Sequence, residues 1–380
     1  MKKLKILELT NYSSGICGVF QRVKQEAEEL AKTRNYEVRI FSSNAIKGGP
    51  GLAPAKDSFG NIKIQRFPFK KIGGESFMIW NFEKEGIDFN PDVIIAHSYR
   101  HPHTTKALKL ARILKKQGKI CKTILVTHAP FIEGDKTRSI LSKWCIRLFY
   151  DPFIGRKALK KFDKIITITR WEESILLEMG VKKEKIAYIP NGIPEDFFTK
   201  KSHKEKNKIL FLGRIHPIKD LETLIKAVNG LKIDLDIVGP GEEAYKKKLL
   251  NLISSETMLN ARLSPPVFDL NKKISLIDRH KIFILPSKTE AMPQSLIEAM
   301  SRGKICISSS NRGGKEIIEN NVNGFIFEIG NANELKNLIT EISLMKDKDL
   351  NKIRYNAGKT AEKFRWKDLI KRLESILHYI

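Results

Sequence analysis

Cysteine is scarce in this sequence, and long apolar runs are absent from it. Its 380 residues include only four cysteines, and no two of them have CxxC spacing. This pattern argues against a disulfide framework and against a zinc site. No stretch reaches the roughly 18 uninterrupted apolar residues that a membrane-spanning helix needs. We therefore expect a globular protein whose thiols are buried in a reducing cytoplasm.

The N-terminal apolar segment is too short and too polar for a signal peptide. Lys5 and Glu8 interrupt it, and it stops at Thr10. A first buried strand is the better interpretation. We accordingly predict a cytoplasmic protein, with the inner membrane face as a further possible location.

Acidic residues are few beside the basic ones. The chain has 43 Asp and Glu against 69 Lys and Arg, a net charge of +26. Such an excess attracts nucleic acid, an anionic membrane or a phosphorylated substrate. Heavy use of lysine along the whole chain explains the charge equally well. The basic residues are spread rather than striped, and no nucleic-acid-binding motif accompanies them.

Short apolar runs alternate with amphipathic helical stretches, and the series occurs twice. This alternation predicts an α/β protein with two doubly wound, Rossmann-like domains whose parallel sheets face a cleft. The predicted strands are 6–9, 37–41, 93–96, 123–126, 164–169, 208–212, 235–238, 282–285 and 304–308. The predicted helices include 20–33, 221–228, 294–301 and 368–380.

Two prolines around an Asn-Gly pair separate the two series, and a lysine-rich stretch follows them. Such a turn and polar stretch indicate a boundary. We predict an N-terminal domain over 1–190, a linker over 191–207 and a C-terminal domain over 208–364. The terminal helix, 365–380, is expected to complete the N-terminal domain.

Two glutamates flank a predicted strand-to-helix junction in the second half. Segment 286–300 reads PSKTEAMPQSLIEAM, with Glu290 in the loop and Glu298 on the helix that begins near Gln294. Free N–H groups at the helix start favour bound phosphate or sugar oxygens. Two carboxylates at this spacing can accept hydrogen bonds from two points of one extended ligand, although isolated glutamates are more often solvated.

Two cations occupy a second strand-to-helix junction. Segment 211–220 reads FLGRIHPIKD, a glycine turn that carries Arg214 and Lys219. Arginine binds a diphosphate in bidentate fashion, and lysine binds it as a point charge. A pair of solvated surface cations is the alternative in so basic a chain.

In this order, these segments resemble glycosyltransferase family 4, also called glycosyl transferases group 1. Glu290 and Glu298 match its E-x7-E region with Ala291 in place of the usual Gly, and 213–219 match its G-R-x4-K motif with Asp220 in place of the following Gly. Four further turns are similar to turns of this family: 190–193 (PNGI), 237–241 (IVGPG), 311–316 (NRGGKE) and 323–325 (NGF). The resemblance covers almost all of 185–330.

The N-terminal half resembles the family at two places. Gly18, in GICGVFQR over 15–22, is the counterpart of its glycine turn, and His128, in THAP over 127–130, that of its sugar-contacting histidine. A lone histidine at a strand end is otherwise often structural, and His97 is a weaker candidate of the same kind. His101 and His103 are interpreted as loop residues.

The resemblance implies the GT-B fold and a retaining glycosyltransferase that needs no metal or other cofactor. A UDP- or GDP-linked sugar would be the donor substrate, Arg214 and Lys219 would neutralise its diphosphate, and the cleft would close to exclude water. Glu290 would lie near the transferred sugar, together with His128, and Glu298 would contact the ribose. The residues implied in donor binding are Gly18, Gly213, Gly239, Gly241, Ala291, Met292, Pro293, Gln294, Ser295 and Glu298.

One motif argues for a metal, and we interpret it otherwise. Asp234 and Asp236 form a D-x-D pattern that other glycosyltransferases use to hold a divalent cation. Alternate residues of a strand share a face, so the carboxylates could converge. Polar residues are however expected where a strand begins, and we predict no metal site.

The acceptor is not readable from the sequence. Segment 137–161 mixes aromatic and aliphatic residues with basic ones, as in helices that lie on anionic membranes. A lipid-linked or glycan acceptor at the cytoplasmic face is our leading hypothesis, and an ordinary core helix is the equal alternative. Competing functions are a GT-B-fold nucleotide-sugar epimerase and a nucleic-acid-directed protein or transferase.

Overall fold

The chain forms two compact units. The computed structural model describes residues 3–73, 77–131, 151, 153–200, 203–256 and 258–379. The first unit comprises Met1–Asn191 and Trp366–Ile380, and the second comprises Gly192–Arg365. Each unit has a mainly parallel sheet with helices, so the predicted two-domain α/β architecture is confirmed.

The strands of the described residues are numbered in chain order. They are β1 (Leu4–Tyr12), β2 (Tyr36–Ser43), β3 (Lys56–Phe59), β4 (Ile62–Phe67), β5 (Phe69–Gly73), β6 (Phe77–Trp80), β7 (Val93–His97), β8 (Lys122–Val126), β9 (Lys164–Thr167), β10 (Ile186–Tyr188), β11 (Lys206–Leu212), β12 (Asp234–Val238), β13 (Ala261–Ser264), β14 (His280–Leu285), β15 (Ile305–Ser309) and β16 (Phe325–Phe327).

The α-helices of the described residues are numbered likewise. They are α1 (Gly18–Lys32), α2 (Glu83–Phe89), α3 (Pro102–Lys116), α4 (Arg156–Lys161), α5 (Glu172–Glu178), α6 (Leu221–Val228), α7 (Glu243–Ser255), α8 (Leu270–Asp278), α9 (Gln294–Ser301), α10 (Arg312–Ile317), α11 (Ala332–Leu344), α12 (Asp347–Glu362) and α13 (Trp366–Tyr379). Short 3₁₀ turns occupy Lys183–Lys185, Glu195–Phe198 and Pro217–Lys219.

The strand orders are those of doubly wound sheets. The first unit has the order β10-β9-β8-β7-β1-β2-β4-β3, antiparallel only at the β3–β4 edge. The second unit has the order β13-β12-β11-β14-β15-β16, parallel throughout. Parallel strands end at one edge of their sheet, so the loops that follow β11, β12, β14 and β15 lie together. We did not predict β3 to β6, β10 or β13, each of which has six residues or fewer.

Burial explains why the apolar runs become strands. Ile6, Leu7 and Leu9 of β1 are fully buried, and so are Ile282 to Leu285 of β14 to within 2%. A parallel sheet is covered on both faces, so its strands read as continuous apolar runs. Helices α6 and α9 begin and end where the apolar periodicity predicts.

Residues predicted as linker pack within the second unit instead. Phe197 is buried, and the guanidinium of Arg302 donates to the carbonyls of Phe197, Thr199 and Lys200 at 3.0, 2.7 and 3.3 Å. The linker was predicted from lysine-rich composition, which carries no information about contacts made by backbone carbonyls. Strand β11 also begins at Lys206, two residues before the predicted start.

The last helix, α13, belongs to the first unit, as the sequence predicts. Trp366 is buried against α1, where its indole N–H donates to Oε1 of Gln25 at 2.8 Å and its ring lies 5.4 Å from the guanidinium of Arg22. Among the described residues, every helix is too short or too polar to cross a lipid bilayer.

Candidate functional site

Two of the predicted site residues form a direct pair. Lys219 lies in the 3₁₀ turn after β11, and Glu290 lies in the loop after β14. The ammonium of Lys219 donates to Oε1 of Glu290, and the hydroxyl of Ser287 donates to the same oxygen at 2.7 Å. The N–H of Lys288 also donates to the carbonyl of Ile218 at 2.8 Å, which ties the two loops together.

Asp220, which stands where the resembling motif has glycine, has a left-handed backbone. Its φ of 50° and ψ of 47° are left-handed, a region that asparagine and aspartate tolerate better than most residues. Its Oδ2 accepts from the hydroxyl of Thr223 at 2.8 Å, and its Oδ1 lies 3.3 Å from the ammonium of Lys288. These contacts keep the loop geometry without the glycine.

Arg214 follows β11 and stands apart from the pair. Its side chain is exposed, and it takes part in no ion pair of the described residues. An exposed guanidinium and a half-buried ammonium in the segment that follows one strand suit an anionic ligand.

Close backbone approach explains two of the glycines. A Cβ on Gly239 would overlap the carbonyl oxygen of Gly213, and a Cβ on Gly313 would meet Cβ and the carbonyl oxygen of Glu290 at 2.8 Å. The N–H of Gly313 donates to that carbonyl at 3.1 Å. Gly241 forms a backbone bridge with Ile215. These contacts bring the predicted turns to one edge of the sheet.

Glu298 is buried on α9 and only partly satisfied. Its Oε1 accepts from the ammonium of Lys273 at 2.6 Å, whereas its buried Oε2 has no hydrogen-bond partner among the described residues. Such an orphan oxygen costs about 1–3 kcal/mol. The carboxylate therefore has one acceptor that no described residue uses.

The segment between the two glutamates forms the start of α9. Met292 and Pro293 are buried, Pro293 is the residue before the first helical turn, and Ala291 and Ser295 are half-buried. The side-chain amide of Gln294 donates to the carbonyl of Gly192 at 3.2 Å. The first N–H groups of the helix are those that sequence analysis expects to bind a ligand.

In the first unit, His128 follows β8 and contacts His97. Nδ1 of His97 lies 2.9 Å from Nε2 of His128, and Nε2 of His97 lies 2.6 Å from Oε2 of Glu8. Glu8 and His97 are fully buried. Burial raises the pKa of Glu8 to about 8 and lowers the pKa of His97 to about 4. Burial also holds the pKa of His128 well below its usual range.

The backbone around His128 is strained. His128 and Ala129 have φ values of 57° and 50°, and Ser98 and Arg100, after β7, have 77° and 71°. Left-handed residues other than glycine cluster at functional sites when other contacts hold them in place. Buried Glu172 supplies such contacts, since it accepts from the N–H of Ala129 at 3.0 Å and from the N–H groups of residues 168 and 169.

The predictions for His101, His103 and Gly18 have different outcomes. His103 is not a loop residue but lies buried in α3, because Pro102 occupies the first helical position and starts the helix one residue earlier. His101 does precede the helix. Gly18 begins α1 and is exposed, and a Cβ there would meet nothing within 4 Å. Its role in ligand binding stays a prediction.

The D-x-D carboxylates are held by cations of the protein. Asp234 lies 2.6 Å from the ammonium of Lys208. Asp236 lies 2.8 Å from Nε2 of His280 and 2.5 Å from Nε of Arg262. Hydrogen bonds from these partners hold the pKa of both aspartates below their usual range, and for Asp236 they outweigh its partial burial. Both carboxylates are thus engaged within the sheet.

Several buried polar residues were missed by the sequence analysis. Arg22 and Glu26 of α1 are fully buried, with 3.1 Å between the guanidinium and the carboxylate. NH1 of Arg22 also donates to the carbonyls of Ile189 and Pro190 and to Oδ1 of Asn191. Buried Glu8 and Glu172 were missed as well. Only Glu8 gave a signal in the sequence, a charge inside the apolar run that forms β1.

The predicted amphipathic segment 137–161 lies outside the described residues, apart from 151 and 153–161. In that part, Phe153 and Ile154 are 63% and 52% exposed, directly before the basic helix α4.

Two family models match the chain. The model described as "Glycosyl transferases group 1" matches residues 192–360, and the one described as "Glycosyltransferase Family 4" matches residues 16–197. Together they span both units. The chain is a glycosyltransferase of the GT-B fold.

Individual proteins agree with this family. An uncharacterized glycosyltransferase of Methanocaldococcus jannaschii is 27% identical to this glycosyltransferase over 99% of this chain and 98% of its own. The UDP-Gal:alpha-D-GlcNAc-diphosphoundecaprenol alpha-1,3-galactosyltransferase of Escherichia coli is 26% identical over 73% of each chain. A sucrose-phosphate synthase structure from Thermosynechococcus elongatus has the same fold, with a TM-score of 0.77 and 15% identity over 99% of each chain.

Proposed function

We propose that this glycosyltransferase moves a sugar from a nucleoside diphosphate sugar to a lipid-linked or other glycan acceptor. We propose further that it retains the anomeric configuration and needs no metal ion. The pair formed by Lys219 and Glu290 carries the proposal, because it places a cation and a carboxylate side by side at the carboxyl ends of β11 and β14.

The diphosphate would be held by cations and N–H groups of the protein. Lys219 and exposed Arg214 supply positive charge, and α9 begins with free N–H groups. Fixed donors that face a departing diphosphate stabilise the charge that develops on it. This electrostatic role is the one that a divalent cation fills in other transferases, which supports catalysis without a metal.

Glu290 would position the donor sugar. Its contacts with Lys219 and Ser287 both use Oε1, so Oε2 holds neither of them. We infer that Oε2 accepts from a sugar hydroxyl and that His128 binds another hydroxyl of the transferred sugar. In this scheme the acceptor oxygen attacks the face from which the diphosphate departs, and the leaving phosphate oxygen takes the acceptor proton.

The ribose of the donor nucleotide would bind to Glu298. The unpartnered Oε2 of this residue can accept from a ribose hydroxyl, which would satisfy a buried polar atom. The E. coli relative uses UDP-Gal, which supports a UDP-linked donor.

The acceptor proposal rests on the same relative and on one exposed surface. The E. coli enzyme acts on a diphosphoundecaprenol-linked sugar. Exposed Phe153 and Ile154 beside the basic helix α4 are suited to the surface of an anionic membrane. We therefore propose a lipid-linked acceptor and peripheral attachment at the cytoplasmic membrane face.

A donor screen tests the proposal. The purified protein is melted with UDP-, GDP- and ADP-sugars, with and without EDTA, and release of the nucleoside diphosphate is followed. One donor should raise the melting temperature and be hydrolysed slowly at a rate that EDTA does not change. Loss of hydrolysis in EDTA that Mg²⁺ or Mn²⁺ restores would contradict metal independence, and no response to any nucleotide sugar would contradict the donor class.

The anomeric outcome needs a separate measurement. With the donor from the screen and a polyprenyl-diphosphate-linked sugar, the product linkage is read by NMR. An α-linked donor should give an α-linked product, and a β-linked product would overturn retention.

A further inference from the structure

Three neighbouring strands of the first unit each contribute one member of a hydrogen-bonded chain. Glu8 lies in the middle of β1, His97 ends β7, and His128 follows β8. Oε2 of Glu8 contacts Nε2 of His97 at 2.6 Å, and Nδ1 of His97 contacts Nε2 of His128 at 2.9 Å. The chain therefore runs from a buried carboxyl to the residue proposed to bind the transferred sugar.

A neutral imidazole carries one proton, so each histidine donates a hydrogen bond from one ring nitrogen and accepts one at the other. The protonation state of Glu8 therefore decides which group donates in each hydrogen bond of the series. If Glu8 is protonated, it donates to His97, which then donates from Nδ1 to His128. His128 must in turn carry its own proton on Nδ1. If Glu8 is ionised, it accepts from His97, and every donor and acceptor in the chain reverses. Nδ1 of His128 is then an acceptor.

We propose that Glu8, acting through His97, sets which ring nitrogen of His128 carries the proton, and thereby whether His128 offers a sugar hydroxyl a donor or an acceptor. Glu8 and His97 are positioning residues in this scheme. The proposal rests on the proposed function in one respect, the contact between His128 and the transferred sugar.

The surroundings of the chain favour the uncharged state near neutral pH. Burial raises the pKa of Glu8 to about 8, although the positive charge of Arg22 opposes this shift. Burial lowers the pKa of His97 to about 4 although the charge of Glu26 opposes this shift, and Arg22 adds to the lowering. The other titratable groups that face the chain are Glu26 on α1, His101 before α3 and His103 on α3. Below about pH 8, Nδ1 of His128 should therefore be a donor.

A metal ion is a poorer explanation of the same cluster. Ligand atoms of Glu8, Glu26 and His97 lie within 4.8 Å of one another. The guanidinium of Arg22, however, lies 3.1 Å from the carboxylate of Glu26 and already supplies a positive charge there. We assign no metal to these residues.

Nitrogen-15 NMR of the histidine rings tests the proposal without any substrate. The full chain is labelled at histidine, and the His97 and His128 signals are assigned with His97→Asn and His128→Asn. From about pH 6.5 to pH 9, the proton of His128 should move from Nδ1 to Nε2 as the carboxyl of Glu8 ionises. A His128 tautomer that stays the same across this range in the wild-type protein would overturn the proposal.

Two matched variants identify the carboxyl responsible. An amide does not titrate, so Glu8→Gln should abolish the pH response of His128. Glu26→Gln changes an equally buried carboxyl that makes no hydrogen bond to His97, and it should keep the response. If Glu26→Gln abolished it and Glu8→Gln did not, the assignment to Glu8 would be wrong. The wild-type titration decides even if a variant does not fold.

Enzyme kinetics connect the chain to transfer. In the wild type, kcat for transfer should change about threefold to tenfold as pH rises through about 8, the effect of one neutral hydrogen bond. Glu8→Gln should flatten this profile and leave the KM for the donor within about twofold, because the donor contacts proposed above lie mainly in the second unit. An unchanged profile in Glu8→Gln would overturn the link to catalysis.

The two proposals can fail separately. A tautomer change in a protein that transfers no sugar would leave the chain in place and refute the proposed function. Sugar transfer by a protein whose His128 tautomer does not change with pH would support the proposed function and refute the role of Glu8.

Discussion

The two units build the carboxyl edges of their sheets with different chemistry. In the second unit, glycines let loops approach closely, and charged groups such as Lys219 and Arg214 stay near the surface. In the first unit, four residues with side chains take left-handed conformations after β7 and β8, against Asp220 after β11 in the second unit, and Glu8, Arg22 and His97 are fully buried.

Carboxyl groups with cationic partners and fully buried carboxyl groups have pKa shifts of opposite direction. Asp236, Glu205 and Glu222 of the second unit have pKa values below the usual range, because cationic and hydrogen-bonding partners outweigh their partial burial. Glu8 and Glu26 of the first unit have raised pKa values, because burial outweighs the charge of Arg22. At the carboxyl edge of the second-unit sheet, accessible charged side chains can bind a charged ligand directly. In the first unit the buried groups can affect a ligand only through their own protonation.

The largest effect is expected from breaking the buried network that Arg22 forms with Glu26 and residues 189–191. Arg22→Met removes the cation beside Glu26 and three donated hydrogen bonds to residues 189–191, and it should lower the free energy of unfolding by about 3–5 kcal/mol. All four tryptophans lie in chain segments of the first unit, so their fluorescence during urea unfolding reports this change.

The same helix offers a matched control. Lys24→Met removes a half-exposed pair with Glu28 at 3.9 Å, and it should cost no more than about 0.5 kcal/mol. Equal costs for the two variants would contradict the importance assigned to the buried network.

The next effect removes charge from the accessible edge of the second unit. Lys219→Ala should reduce transfer by about 100-fold to 1000-fold, as the loss of one preorganised donor does, and leave the fold intact. The measurement is kcat with the donor that the screen identifies. Exposed Lys226, on α6, gives the control, since Lys226→Ala should keep full activity. A wild-type rate in Lys219→Ala would refute the donor-site assignment.

A smaller expected effect is a difference in how the stability of the two units depends on pH. The folded state keeps a proton on Glu8 up to about pH 8, while the unfolded chain releases it near pH 4.5. Stability from this group is therefore complete at low pH and decreases as pH rises to about 8, by about 1.4 kcal/mol per pH unit. His97, with its pKa lowered to about 4, opposes this trend only below about pH 6.5.

Urea unfolding followed by tryptophan fluorescence between about pH 6.5 and pH 8 checks this slope. Glu8→Gln should reduce it. The carboxylates of the second unit should lose stability only in acid, as pH falls through their lowered pKa values. An equal slope in the wild type and Glu8→Gln would show that another group releases the proton.

The smallest effect concerns Asp220, which has a left-handed backbone in the second unit. Asp220→Gly relieves about 1–2 kcal/mol of backbone strain but loses the contacts with Thr223 and Lys288, so stability should change by less than about 1 kcal/mol. Asp220→Ala loses the same contacts without relief and should be the less stable of the two by calorimetry. The reverse order would show that the backbone there is not strained.

The sequence by itself determined the fold class and most of the second-unit site. Apolar runs and helical periodicity mark the elements, and Gly213 to Asp220 and Glu290 to Glu298 lie in short segments where a strand turns into a helix. A motif of this kind is readable because the residues that act together are neighbours in the chain. The pairing of Lys219 with Glu290, 71 residues apart, followed only from the strand order.

Only the tertiary structure decided that Glu8, His97 and His128 form a buried series of hydrogen bonds in the first unit. Glu8 and His97 are 89 residues apart, and Arg22 and Asn191 are 169 apart. Glu8 reads as one charge that interrupts a strand, and His97 as a lone histidine. They meet because β1, β7 and β8 lie side by side in the sheet, and their charge state depends on burial, which no short segment of sequence records.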